Sequence, residues 1–144
     1  MFDLLLKNAK IFDGLGSPFF YGDLAVKDEK IAAVGKIPEE SAARIIDVSG
    51  KALSPGFVDA HTHSDRTALF VNAPDAKILQ GVTTEIAGNC GQSVAPLSEK
   101  YLDHLKRYLA PYLPKSVPIV WNWNSTGQML DRLDAQGHTT DLAC

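Results

Sequence analysis

Cysteine is scarce: Cys90 and Cys144 are the only two in 144 residues. They lie far apart and without repeated spacing, which excludes a disulfide framework and predicts reduced thiols or ligands in a cytoplasmic protein. Long apolar runs are also missing. The opening MFDLLLKNAK interrupts Leu4 to Leu6 with Asp3 and Lys7, and no stretch approaches the roughly 18 residues of a spanning helix. Neither a signal peptide nor a membrane anchor is expected. Positive charge is not in excess, since 14 Lys and Arg stand against 17 Asp and Glu for a formal net charge of -3. That excludes the electrostatic footprint of a nucleic-acid or acidic-lipid binder. With 45% hydrophobic and 22% charged residues, what is there is an ordinary globular composition rather than a disordered one.

Residues 1–54 read as short strands between turns: Asp3 to Leu6, Lys10 to Phe12, Asp23 to Lys27, Ile31 to Val34, Arg44 to Val48 and Lys51 to Ser54. Gly14, Gly16-Ser17-Pro18, Gly35, Pro38 and Ser49-Gly50 mark the reversals, and Asp28-Glu29 is placed to close a hairpin. From Pro55 the pattern changes to an apolar run ending in DAHTH, a short helix from about Pro74 to Gln80, and a second strand, GVTTEIAG. A helix through Tyr101, Leu102, Leu105, Tyr108 and Leu109 should stop at Pro111 and Pro114. Another runs from Ser125 to Gln136, where Met129, Leu130 and Leu133 share a face, and HTTDLAC begins a third strand. The order β, α, β, α predicts parallel strands in an α/β domain.

His61 and His63 are two residues apart, so on a strand both imidazoles leave the same face. Two neutral imidazoles aimed at one spot supply two ligands of a three-ligand metal site, although two core histidines hydrogen-bonded to backbone would share the pattern. Pro55-Gly56 before and Ser64-Asp65 after place the pair where a strand emerges into a loop, the end at which parallel α/β folds carry their chemistry. Asp59, of the same parity, and Asp65, reaching back from the loop, are candidates to orient an imidazole. Alternatively, Asp59 is a backbone-satisfied strand residue and Asp65 a solvated loop acid. Cys90 in AGNCGQSVAP follows the second strand between Gly88 and Gly91, which permit unusual backbone angles and bring the thiol to the same rim. It is either a metal ligand, a small buried hydrophobe, or a nucleophile paired with one of the histidines.

PGFVDAHTHSD followed by QGVTTEIAGNCGQSVAPL resembles the N-acyl-D-amino-acid deacylases (D-aminoacylases) of the metal-dependent amidohydrolase superfamily. The lead-in, DLLLKNAKIFDG with KIAAVG and RIIDVSGKALSPG, resembles the β-sandwich opening shared across that superfamily. The resemblance implies a β-sandwich segment over residues 1–54 and the start of a TIM-like (β/α)8 barrel over 55–144. Only the first two to three strands of that barrel would be present, with an insertion at about 91–120. It also implies one or two Zn2+ ions held in part by His61, His63 and Cys90, and hydrolysis of a small N-acyl-D-amino acid to a carboxylate and a free D-amino acid.

The resemblance further implies two more metal-binding histidines and a general-base aspartate beyond residue 144, with no catalytic residue within the chain. His104 and His138 do not occupy the contexts of the missing ligands. Residues 55–144 also fall well short of the roughly 250 residues of a complete barrel. The length therefore predicts an N-terminal piece that requires the remainder of the barrel and is inactive alone. A dihydroorotase- or hydantoinase-like cyclic amidase and a noncatalytic amidohydrolase-like scaffold are the alternatives. Trp121 and Trp123 either line an acyl pocket or pack the insertion onto the barrel. Asn89 either aims its amide at substrate or caps its turn.

Overall fold

FDLLLKNAKI forms one continuous strand, β1 (Phe2–Ile11), in the computed structural model of the chain, which describes residues 1–69, 76–113 and 119–144. This corrects the expectation of separate strands at Asp3 to Leu6 and Lys10 to Phe12. The polar pair between them makes a bulge, not a break: the register with β2 shifts between Leu6 and Ala9, and Asn8 adopts a φ of 60°. Asp23 Oδ1 accepts the Asn8 N–H at 2.9 Å, so a carboxylate replaces the ladder partner that the bulge removes.

β2 (Phe20–Lys27) and β3 (Lys30–Gly35) form an antiparallel hairpin closed by Asp28 and Glu29, both at positive φ, whose twist suits two-residue connections. β4 (Ala42–Asp47) and β5 (Ala52–Leu53) run parallel to β1. Residues Met1–Pro55 thus form a compact unit with strand order β3-β2-β1-β4, and β5 beside β1. Leu5, Ala25 and Ala33 fall in one cross-strand row, and with Ile37 they make its small core.

The second unit, Gly56–Cys144, is mixed α/β. Its strands β6 (Phe57–Asp59), β7 (Val82–Ile86) and β8 (Asp141–Ala143) lie parallel in that order. A four-residue helix that the sequence did not announce, α1 (Ser64–Thr67), follows β6. Asn72 and Pro74, placed at the start of the expected helix before β7, lie outside the described residues; its end is a 3₁₀ turn, Ile78–Gln80, stopped by Gly81 at φ 85°. α2 (Leu102–Leu109) runs on into a further turn, Ala110–Tyr112. Pro111 therefore does not stop the helical path: it sits at the start of that turn, where its missing N–H breaks no bond. Pro114 lies outside the described residues.

α3 (Thr126–Gln136) begins at Ser125, whose Oγ accepts the Gln128 N–H at 3.2 Å, and ends at Gly137, φ 83°. The core of this unit is Leu69, Val94, Ala95, Leu109, Trp123, Met129 and Leu133. Met129 and Leu133, one helical turn apart, present the buried stripe of α3. No helix among the described residues is long and apolar enough to cross a membrane.

Candidate metal centre

Pro55-Gly56 leads into β6, where the chain passes very close to its neighbour: a Cβ on Gly56 would lie 2.0 Å from Thr83 Oγ1 and 2.7 Å from Thr83 Cβ. Glycine is required there for steric reasons. β6 ends at Asp59, so His61 and His63 lie beyond the strand rather than on it, which corrects the alternation that the HxH spacing predicts. The chain bends at Ala60 and His61, and Thr62 N–H donates to Ile86 O at 3.0 Å, tying this segment to the end of β7. His63 then caps α1 with φ −120° and ψ 28°.

Cys90 follows β7 in a turn with three positive-φ positions in close succession: Gly88 at 79°, Cys90 itself at 58°, and Gly91 at 66°. A non-glycine residue at positive φ is uncommon and needs support from its surroundings. Asn89 supplies some: its amide donates to Ile86 O at 2.8 Å and to Thr62 O at 3.4 Å, so it caps the turn and reaches the histidine segment.

The structure brings His61, His63 and Cys90 together, one donor atom from each lying within 4.8 Å of the others. His61 Nε2 is 3.1 Å from Cys90 Sγ, and the two imidazole rings are 5.9 Å apart, nearly edge-on. His61 and Cys90 are exposed and His63 is half-buried. Both parent strands are parallel, and the donors come from the loops at their carboxyl ends.

Below the cluster lies a polar network. Lys77 Nζ contacts Asp59 Oδ2 at 2.5 Å, Thr62 Oγ1 at 2.6 Å and Glu85 Oε2 at 2.7 Å. Glu85 is buried; its Oε2 also accepts the Ser64 hydroxyl, and its Oε1 accepts that of Thr140 at 2.7 Å. Burial pushes the Glu85 carboxyl up, but the hydrogen bonds from Lys77, Ser64 and Thr140 outweigh it and hold the group below its ordinary range. The Lys77 hydrogen bond likewise holds Asp59 down. Burial works against the Lys77 charge, and the two carboxylates more than restore it.

A sequence model of the amidohydrolase family matches residues 44–142. The chain belongs to the amidohydrolase family. It is 45% identical over 97 residues to a D-aminoacylase of Alcaligenes xylosoxydans xylosoxydans, covering 67% of this chain and 20% of that relative. A solved D-aminoacylase structure, described for its binuclear metal centre, superimposes with a TM-score of 0.81 at 36% identity, over 100% of this chain and 29% of that one. An N-acyl-D-glutamate deacylase from Bordetella bronchiseptica, solved with zinc and a phosphonate inhibitor, gives 0.77 at 34% identity over 99% of this chain and 28% of its own. These similarities place the chain in the D-aminoacylase branch. It spans about a fifth of the first of these relatives and under a third of the solved structures.

The other candidates in this amidohydrolase chain separate clearly. His104 is exposed on α2, and His138 is engaged by Asp134 Oδ1 at 2.9 Å and by Thr140 O. Trp123 is a core residue whose indole donates to Val94 O at 2.9 Å, with the Trp121 ring 5.5 Å away. Asp59 meets His61 through the backbone: its Oδ1 accepts the His61 N–H at 3.2 Å. Asp65 is not a solvated loop acid. It lies in α1 with no exposure, and Oδ2 accepts the Val94 N–H at 3.2 Å. Sequence reasoning missed Lys77 and Glu85. The available signal was Glu85 within VTTEI, since an acid in a strand of a parallel sheet is buried and must be paired.

Proposed function

We propose that the parent protein is a zinc-dependent N-acyl-D-amino-acid deacylase, hydrolysing an N-acyl-D-amino acid to a carboxylate and a free D-amino acid. Residues 55–144 are the start of its (β/α)8 barrel, with an insertion at about 91–120, and residues 1–54 belong to its β-sandwich. The observation that carries this reading is the convergence of His61, His63 and Cys90 at the carboxyl ends of two adjacent parallel strands.

The donor set fits the metal. Two imidazoles and a thiolate are ligands that zinc prefers over the all-oxygen shells of magnesium or calcium. The nearby carboxylates of Asp59 and Glu85 are not on offer, because Lys77 holds both. Zinc at such a site supplies a Lewis acid for the amide carbonyl and makes hydroxide available near neutral pH. The chain's own residues bind and orient: His61 and His63 present ring nitrogens, Cys90 its sulfur, and Asp59 fixes the backbone of His61. The general base and the remaining ligands belong to the rest of the parent barrel, so the chain alone is inactive. A small N-acyl-D-amino acid is the partner, with no role for nucleic acid or membrane, in a reducing cytoplasmic setting that keeps the thiols free.

The test is metal content and hydrolysis of N-acyl-D-amino acids by the parent protein and its Cys90→Ala variant. Tightly held zinc that is lost in the variant, together with activity, is the expected outcome. Unchanged zinc in Cys90→Ala removes the assignment of this thiol.

A further inference from the structure

Asp65 is wholly buried, yet only one of its carboxylate oxygens has a partner. Oδ2 accepts the Val94 N–H, which anchors the end of the loop carrying Cys90. Oδ1 lies inside the protein without a hydrogen bond. Two residues earlier, His63 Nδ1 is also buried and without one. His63 stands at the N-terminal cap of α1 and Asp65 in its first turn. A buried unpartnered polar atom costs roughly 1–3 kcal/mol, so polar atoms left open at the start of one short helix call for an explanation. The Arg66 guanidinium gives Oδ1 no hydrogen bond either: its Nη1 is likewise buried without a partner, and its central carbon lies 4.9 Å from the Tyr112 ring.

We propose that Asp65 is the positioning residue of the metal centre, accepting a hydrogen bond from His63 Nδ1–H when the other ring nitrogen, Nε2, takes the cation. This rests on the assignment of His63 as a ligand. Coordination through Nε2 demands the tautomer with its proton on Nδ1, and a ligating imidazole nearly always gives that proton to a carboxylate, carbonyl or water. One carboxylate then joins both halves of the site, holding an imidazole with Oδ1 and the cysteine loop with Oδ2. It also explains why the residue is an acid rather than an amide. Two donors, Val94 N–H and His63 Nδ1–H, converge on it. A carboxylate accepts from both, whereas asparagine accepts from one and opposes the other with its NH2.

The discriminating variant is therefore Asp65→Asn in the parent protein, loaded with cobalt(II) as a spectroscopic probe. A purely structural anchor is satisfied by the amide oxygen on Val94. A positioning role is not, because the NH2 then favours the wrong His63 tautomer. We expect the fold to be kept, cobalt affinity to fall about 10–100-fold, and the thiolate-to-cobalt absorption to persist at saturation. In the unsubstituted parent protein we expect a slowly exchanging, paramagnetically shifted His63 Nδ1–H proton, and its loss in the variant. Affinity within about twofold of the unsubstituted parent protein overturns the proposal. So does the absence of that proton from the unsubstituted cobalt form, a measurement that stands even if the variant does not fold. Failure of the unsubstituted parent protein to take up cobalt refutes the metal reading, and this inference with it. Uptake with the thiolate band but no effect of Asp65 refutes this inference alone.

Discussion

Replacing Glu85 by glutamine keeps the side-chain volume and removes the charge that holds the network under the metal centre. The carboxylate accepts from Lys77 at 2.7 Å, from Ser64 and from Thr140 at 2.7 Å, and the residue is almost fully buried. Glutamine with its oxygen toward Lys77 and Ser64 turns its NH2 to Thr140, whose hydroxyl rotates to accept, so the loss concentrates on the charged contact. Hydrogen bonds to charged groups contribute roughly 1.5–3 kcal/mol. Lys77 keeps Asp59 at 2.5 Å and is not stranded, which places the expected cost at about 2 kcal/mol rather than the 3–5 of a broken buried pair.

The pH dependence gives an independent check. The Glu85 carboxyl is held below its ordinary value of 4.5. Its contribution is therefore fully present above that pH and is lost as pH falls through the lower folded value. The difference between the two proteins should be largest at pH 7 and should shrink below about pH 4.5. Urea unfolding followed by tryptophan fluorescence at both pH values measures this, and the signal reports the second unit alone because Trp121 and Trp123, the only tryptophans, both lie there. A destabilisation under about 0.5 kcal/mol at pH 7, or an unchanged acid slope in the variant, refutes the charge-network account.

Gly56→Ala should cost roughly 1–3 kcal/mol, because its Cβ would sit 2.7 Å from Thr83 Cβ and force β6 and β7 apart. Thr83→Gly in the same chain should recover part of that loss in the same denaturation assay. Leu133→Ala removes a side chain that is 1% exposed from the core of the second unit and should lower its stability by about 2–5 kcal/mol, read from the urea midpoint.

The metal-centre residues were legible because their chemistry is local: imidazoles two apart, and a thiol between glycines after a strand. The route by which they meet was not. Strand alternation placed His61 and His63 on one face, whereas in the structure they lie past the strand end, brought together by a bend and by the Thr62 bond to Ile86. Asp65 was open between an orienting acid and a solvated one, since burial depends on Val94 and the segments packed around it, 29 residues away along the chain. Lys77 is not legible in the sequence, because an isolated lysine before a strand carries no signal until folding brings Asp59 and Glu85 to its ammonium.

The sequence by itself determined the features that neighbouring residues set: the helix from its Ser125 cap to its Gly137 stop, the Asp28-Glu29 reversal, the metal-like donor types, and the family. Only the tertiary structure decided that Asn8 bulges rather than breaks a strand, that Trp123 fills a core, and that Asp65 and Glu85 are interior acids. The physical reason is range. Capping, turn angles and ligand chemistry are set within a few residues, while desolvation and the partners of a buried charge come from segments that only folding brings together.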